Sequence, residues 1–229
     1  MLAMKSSIAQ LVDPRRAPVI QVDRHLPAVS DNALAPANLR QRFLHPPSWQ
    51  PELLAEKKFL DRPLMHAAVL VPIVARPTPT VLLTQRAAHL STHAGQIAFP
   101  GGKLDANDAD ATAAACREAF EEVGLTQDCI DVLGHLPSYT TGSSFAVTAV
   151  VALVSPDYVV MPNPYEVSDV FEVPLAFLMN PANHRHHEVI WQGALRHWLS
   201  MPYPDAQGER FIWGATAGML RNFYRFLSA

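Results

Sequence analysis

The chain has 229 residues, 49% of them apolar and 17% charged, which is ample for the core of one generous domain. Its 18 basic and 21 acidic side chains leave a formal net charge of -3, without the basic surplus of a general nucleic-acid binder. Two cysteines, Cys116 and Cys129, supply no disulfide framework and no metal-ligand spacing. The longest apolar runs, 64–75 and 145–154, fall short of the ~20 residues a membrane helix needs, and the first residues lack a secretory apolar region. A soluble cytoplasmic protein is expected, with no membrane or nucleic-acid partner. Monomer and homodimer are both open.

Residues 1–35, punctuated by Pro14, Pro18 and Pro27, carry no sustained period and are expected to be an extension ahead of one domain at 36–229. A helix at 37–44 is stopped by Pro46-Pro47. The β-rich runs 67–71 and 80–84 flank a turn at 76–79, and a third short run at 96–99 closes on Pro100-Gly101-Gly102. Residues 108–123 are Ala-rich and free of Gly and Pro, which predicts a helix capped by Gly124. Strands are expected at 132–136, 145–154, 169–173, 188–192 and 194–199, and a last helix at 214–226. The order predicts an α+β sandwich instead of a regularly alternating doubly wound sheet.

The helix is where chemistry concentrates. At ~100° per residue, Glu118, Glu121 and Glu122 share one arc, because positions i, i+3 and i+4 lie on one face. Ala113, Cys116, Phe120 and Val123 are expected to form the opposite, buried stripe. Three carboxylates near a helix C-terminus repel one another and are disfavoured by the dipole, and a hard divalent cation would relieve both. A solvated acidic face, with Arg117 paired to Glu121, explains the same residues if the helix is taken alone.

The residues ahead of the helix bear on that choice. Gly101-Gly102-Lys103-Leu104-Asp105-Ala106-Asn107-Asp108 leads to Arg117-Glu118-Ala119-Phe120-Glu121-Glu122-Val123-Gly124-Leu125. This resembles the Nudix box, with one residue more between Gly102 and Arg117 than the common spacing. The resemblance implies a Nudix fold, an α/β/α sandwich with a mixed sheet and a loop-helix-loop motif. It implies Mg²⁺ or Mn²⁺ held by Glu118, Glu121, Glu122 and a carbonyl of the glycine turn at Gly102, with Arg117 orienting the acids. The general base stays open among Glu121, Glu122 and the downstream Glu166, which also reads as an ordinary loop glutamate.

Upstream, residues 82–102 run Leu-Leu-Thr-Gln-Arg-Ala-Ala-His-Leu-Ser-Thr-His-Ala-Gly-Gln-Ile-Ala-Phe-Pro-Gly-Gly. This looks like the extra motif of the coenzyme A diphosphatase branch, departing at Ala87, where that branch usually has Ser. The implied reaction splits coenzyme A or its derivatives to 3',5'-ADP and 4'-phosphopantetheine or its acyl form. Arg86, His93, Gly95 and Lys103 are the expected substrate-binding residues. Arg86 could instead close an ion pair, His93 could bond a backbone carbonyl, and Gly95 could serve only the turn. Two alternatives are another nucleotide substrate (NADH, ADP-ribose or a nucleoside triphosphate) and a nucleotide-sensing module without turnover.

His184-Arg185-His186-His187-Glu188 lacks the spacing of a zinc helix or ribbon and is expected to be a solvated turn before a strand. No serine sits in a nucleophile elbow, so covalent catalysis is not expected.

Overall fold

The computed structural model describes residues 13–59, 62–191 and 193–229. In chain order, β1 (Val19–Val22) precedes α1 (Asp31–Leu34) and α2 (Pro36–Leu44), followed by β2 (Met65–Val74), β3 (Thr80–Arg86), β4 (Ile97–Ala98) and β5 (Gly101–Lys103). The long helix α3 (Ala111–Val123) leads to β6 (Ile130–His135), β7 (Tyr139–Thr140), β8 (Phe145–Val154) and β9 (Val167–Pro174). The chain ends with α4 (Leu175–Leu178), β10 (Arg185–Trp191), β11 (Ala194–Asp205), β12 (Gly208–Trp213) and α5 (Gly214–Ser228).

The main sheet is mixed. β2 and β8 run parallel over their whole length at its centre, from Met65 opposite Phe145 to Val74 opposite Val154. One edge of β2 is shared by β5 at its start and β3 at its end, both antiparallel. Pro72 falls between those two partners. The N–H of Leu70 points across that edge to the Pro100 carbonyl (2.9 Å), so by the period of two the nitrogen of Pro72 faces the same gap, where its missing proton costs no ladder bond.

β2 and β8 read as continuous apolar runs because both faces of the sheet are covered. Ala68, Leu70, Val74, Val150, Ala152 and Val154 point toward α3. Ala67, Val71, Ile73, Ala149, Val151 and Leu153 point into the larger core beneath α5, with Leu220, Phe223 and Tyr224. Helices on both sides of a mixed sheet, with α3 set between two loops, give the α+β sandwich that the box implies. Among the described residues no helix is long and apolar enough to cross a membrane.

α3 starts at Ala111, where the Asp110 carboxylate accepts from the Ala113 N–H (2.9 Å) as its N-cap. It ends at Gly124, which adopts φ 75° and donates to the Ala119 and Phe120 carbonyls. A Cβ there would lie 2.9 Å from Met161 Cβ. Gly124→Ala is therefore expected to lose about 1 kcal/mol or more, seen as a thermal midpoint lower by several degrees.

Apart from Val123, the buried face of α3 is not the expected one. Ala114, Ala115, Ala119, Glu122 and Val123 are buried, whereas Phe120 is 55% exposed. Ala113, Cys116 and Phe120 line a solvent-open concavity of about 570 Å³ with Leu125 and Thr126. Alanines let the helix lie close on β2 and β8, a contact that a phenylalanine on that side would hold apart.

A second sheet of four antiparallel strands runs β1-β10-β11-β12. Its strand β1 comes from the segment expected to be an extension; the part before Asp13 lies outside the described residues. Leu34 from the same segment is buried in the larger core, and the Tyr224 hydroxyl donates to the Pro27 carbonyl (2.9 Å). Strands were expected at 188–192 and 194–199, with Gln192 outside the described residues. The structure starts β10 earlier, extends β11 to Asp205 and adds β12. The histidine stretch is likewise not a solvated turn. His184 and His187 are buried, with His187 Nε2 2.7 Å from Ser200 Oγ and His184 Nε2 donating to the Leu178 carbonyl (2.8 Å). Burial holds His184 down to about 4, so it is neutral and accepts at Nδ1 from Arg221 (3.0 Å).

Candidate active site

The Gly101-Gly102 turn is pressed against both β2 and α3. A Cβ on Gly101 would meet the Ala68 carbonyl at 2.5 Å, and one on Gly102 would meet Glu118 Oε1 at 2.4 Å. Only glycine lets the backbone pass between sheet and carboxylate. The Gly101 N–H donates to Glu122 Oε2 (3.2 Å).

Glu122 is 4% exposed, and burial pushes its carboxyl up to about 7. The Gly101 bond and the Arg86 charge lower it, and the charges of Glu118 and Glu166 raise it further. Glu118 is also pushed up, chiefly by burial and then by Glu121 and Glu166, against the pull of Arg117. Glu118, Glu122 and Glu166 therefore sense one another, which links the helix to the loop before β9. Glu121 stands at the solvent edge, 3.1 Å from Arg117 Nη1.

Arg117 uses all five of its N–H bonds. Nε and Nη2 donate to the two oxygens of Asp108 (3.0 and 2.8 Å), Nη2 also to the Lys103 carbonyl (3.2 Å), and Nη1 to Glu118 (2.9 Å) and Glu121 (3.1 Å). Asp108 was not among the expected site residues. Its other role is to accept from the Asp105 N–H (2.8 Å), which folds the extra-residue loop into a turn that returns to Arg117. The one available signal was an acid standing near where the box often has Glu.

Across from the helix, Arg86 ends β3 with Nη1 3.6 Å from Glu122 Oε1, and its buried Nε has no hydrogen-bond partner among the described residues. Its backbone holds the loop that follows: the Arg86 N–H donates to the Gln96 carbonyl (2.9 Å) and the Gly95 N–H to the Arg86 carbonyl (3.1 Å). His93, at φ 56°, places Nδ1 2.8 Å from Gln96 Oε1. It thus meets a side-chain carbonyl where a backbone carbonyl was the expected structural partner. Gly95, at φ 69°, would take a Cβ without contact, so its conformation is what asks for glycine. The Lys103 ammonium lies 5.9 Å from the centre of the Phe145 ring. The 87–90 turn is tied to the Glu166 loop, with the Ala87 N–H donating to the Glu166 carbonyl (2.8 Å) and His89 Nε2 to the Tyr165 carbonyl (3.0 Å).

Among the described residues, no three His, Cys, Asp or Glu side chains stand ready around one point to hold a metal ion. The donor chemistry nevertheless fits a hard dication. Two desolvated carboxylates lie at the seam of helix and sheet, within electrostatic reach of a third acid, Glu166.

The NUDIX domain model matches residues 64–192. The chain is 45% identical over 157 residues to a protein of Escherichia coli K12 described as the uncharacterized Nudix hydrolase NudL, covering 68% of this chain and 79% of that one. A Shigella flexneri protein of the same description is 44% identical over 162 residues, covering 69% and 82%. Among solved structures, a Nudix hydrolase from M. smegmatis, RenU, aligns with a TM-score of 0.41 and 26% identity over 50% of this chain and 73% of that one. The domain match spans more than half of the chain, and each of these bacterial relatives is more than 30% identical and covered over more than two thirds of its length. The chain therefore belongs to the Nudix family, as a hydrolase acting on the pyrophosphate bonds of nucleoside diphosphate-linked compounds.

Proposed function

We propose that the protein hydrolyses the diphosphate bond of coenzyme A or its derivatives, releasing 3',5'-ADP and 4'-phosphopantetheine or its acyl form, in the cytoplasm. The observation that carries the reading is Arg86. It comes from the motif that resembles the coenzyme A branch, and its side chain, 27% exposed, places the guanidinium beside Glu122 of the box. A guanidinium so placed can turn its outer N–H groups to a phosphate oxygen beside the acids. His93, Gly95 and Lys103 complete the proposed substrate contacts.

Nudix hydrolases generally use a divalent metal ion. Mg²⁺ or Mn²⁺ would be held here by Glu118, Glu121, Glu122 and the Gly102 carbonyl, and when bound it would supply charge neutralisation of the diphosphate and acidification of water. The remaining work falls to the chain. Arg117 holds Glu118 and Glu121 in place through its link to Asp108. Glu166 is the proposed base. Its loop is pinned to the end of β3 beside Arg86, and its charge reaches both Glu118 and Glu122. Arg86 would orient the diphosphate so that water attacks in line.

Incubation with coenzyme A and Mg²⁺, read by mass spectrometry, tests this beside a Glu121→Gln, Glu122→Gln double variant. Both products are expected from the parent alone. Survival of coenzyme A with Mg²⁺ and with Mn²⁺, while NADH or ADP-ribose is cleaved, would overturn the substrate and leave the hydrolase.

A further inference from the structure

The hydrolytic site makes no use of the histidine-rich start of β10, yet the second sheet sets it beside another histidine. His186 and His197 sit on adjacent strands, with His197 directly opposite Glu188 and His186 opposite Leu199. His186 Nδ1 and His197 Nε2 are 3.3 Å apart, with ring centres 5.4 Å apart.

What lies behind His186 fixes its chemistry. Its Nε2 is 2.8 Å from Oδ2 of Asp23, a buried carboxylate that also pairs with Arg221 at 3.0 Å. Since the carboxylate accepts, the proton of a neutral His186 is on Nε2 and Nδ1 presents a lone pair toward His197. An acid behind the imidazole is the arrangement that orients metal-ligating histidines. The spacing of 3.3 Å is long for an N–H hydrogen bond, whose usual length is about 2.9–3.0 Å. It is the spacing, about 3.3 Å, of two nitrogens on a tetrahedral ion with bonds of about 2.0–2.1 Å.

A carboxylate is at hand on the same face. Residues directly opposite in an antiparallel pair have Cβ atoms about 4.5–5.5 Å apart, which brings the Glu188 carboxylate within reach of the His197 ring. Burial, then the His186 charge, holds the His197 imidazole below its usual range, against the opposing charges of Glu188 and Glu52. His197 is exposed and His186 partly so, leaving the pair open to solvent.

We propose that His186 Nδ1, His197 Nε2 and Glu188 form a surface site for one transition-metal dication of the zinc class, on the sheet that does not carry the box. As they stand the side chains offer two nitrogens and not a complete set of three ligands. Glu188 closes the set by rotating about its own side-chain bonds, and solvent takes the fourth position. Imidazole ligands select zinc over magnesium, so the two sites would load independently.

The test is equilibrium dialysis of untagged protein against Zn²⁺ in excess Mg²⁺, with bound zinc counted by mass spectrometry. One zinc per chain is expected, unchanged in the Glu118→Gln, Glu122→Gln double variant, and more than about tenfold weaker in His197→Gln and in Glu188→Gln. His197 is exposed, so its variant should keep the metal-free thermal midpoint of the parent. If that midpoint falls, Glu188→Gln decides alone. Failure to retain zinc at micromolar concentration overturns the site, as does zinc that survives the strand variants or disappears with the box variant.

Discussion

Glutamine at position 122 is expected to stabilise the metal-free protein at alkaline pH and to stop turnover. Burial raises the Glu122 carboxyl from 4.5 to about 7, so the folded chain holds that proton more tightly than the unfolded chain. This stabilisation is fully present below 4.5, fades as pH rises through about 7, and is absent above it. The swing is on the order of 3 kcal/mol, or roughly 10 °C in thermal midpoint. Melting in a chelator between about pH 5 and pH 8 measures it. The parent should lose stability across that range while Glu122→Gln stays level. Because the same carboxylate is a proposed metal ligand, the variant should also lose about 10²–10³-fold in kcat. A parent whose midpoint does not fall would mean that Glu122 is already ionised against Arg86 at the acid end.

Arg117→Lys should cost nearly as much activity as Arg117→Ala. The guanidinium supplies five N–H bonds to five oxygens in a fixed plane, and an ammonium has three, in a different geometry. Glu118 and Glu121 would then settle elsewhere, and a displacement near 1 Å at a reacting centre costs about 10²-fold. Steady-state kinetics with a metal titration should show kcat falling in both variants and the metal requirement rising. Asp108→Asn should follow them in part, since it weakens the anchor on the other side of Arg117. Full activity in Arg117→Lys would remove the positioning role.

The box helix was legible because its pattern is local. Gly101-Gly102, the Arg117 to Gly124 spacing and the apolar runs 67–71 and 145–154 each specify their own geometry. The side of α3 that meets the sheet was not, since a helical wheel orders residues about an axis without saying where the sheet lies. Three alanines and a desolvated glutamate took the inner side, and Phe120 went to solvent. Asp108 was missed for a related reason: its partner, nine residues away, is reached only once the 105–108 turn has formed. The second sheet was partly hidden because polar residues build its interior. His184 and His187 look solvated in sequence, and it is their hydrogen bonds to Leu178, Arg221, Ala17 and Ser200 that make burial affordable.

The pairing of β1 with β10 bears on how the molecule avoids sticking to its own kind. β10 is a seven-residue strand, and bare, it would offer a row of unsatisfied backbone groups to any neighbouring chain. β1, four residues that follow Pro18, covers the first part of that row, opposite Arg185 to His187, and is preceded by a residue with no amide proton to give. A version of the protein cut to begin at residue 36 would uncover that part of β10, and it would also take Leu34 from the core and the Asp23 carboxylate from Arg221. Clumping through that uncovered border, on top of a loosened core, is the failure to anticipate in such a truncation.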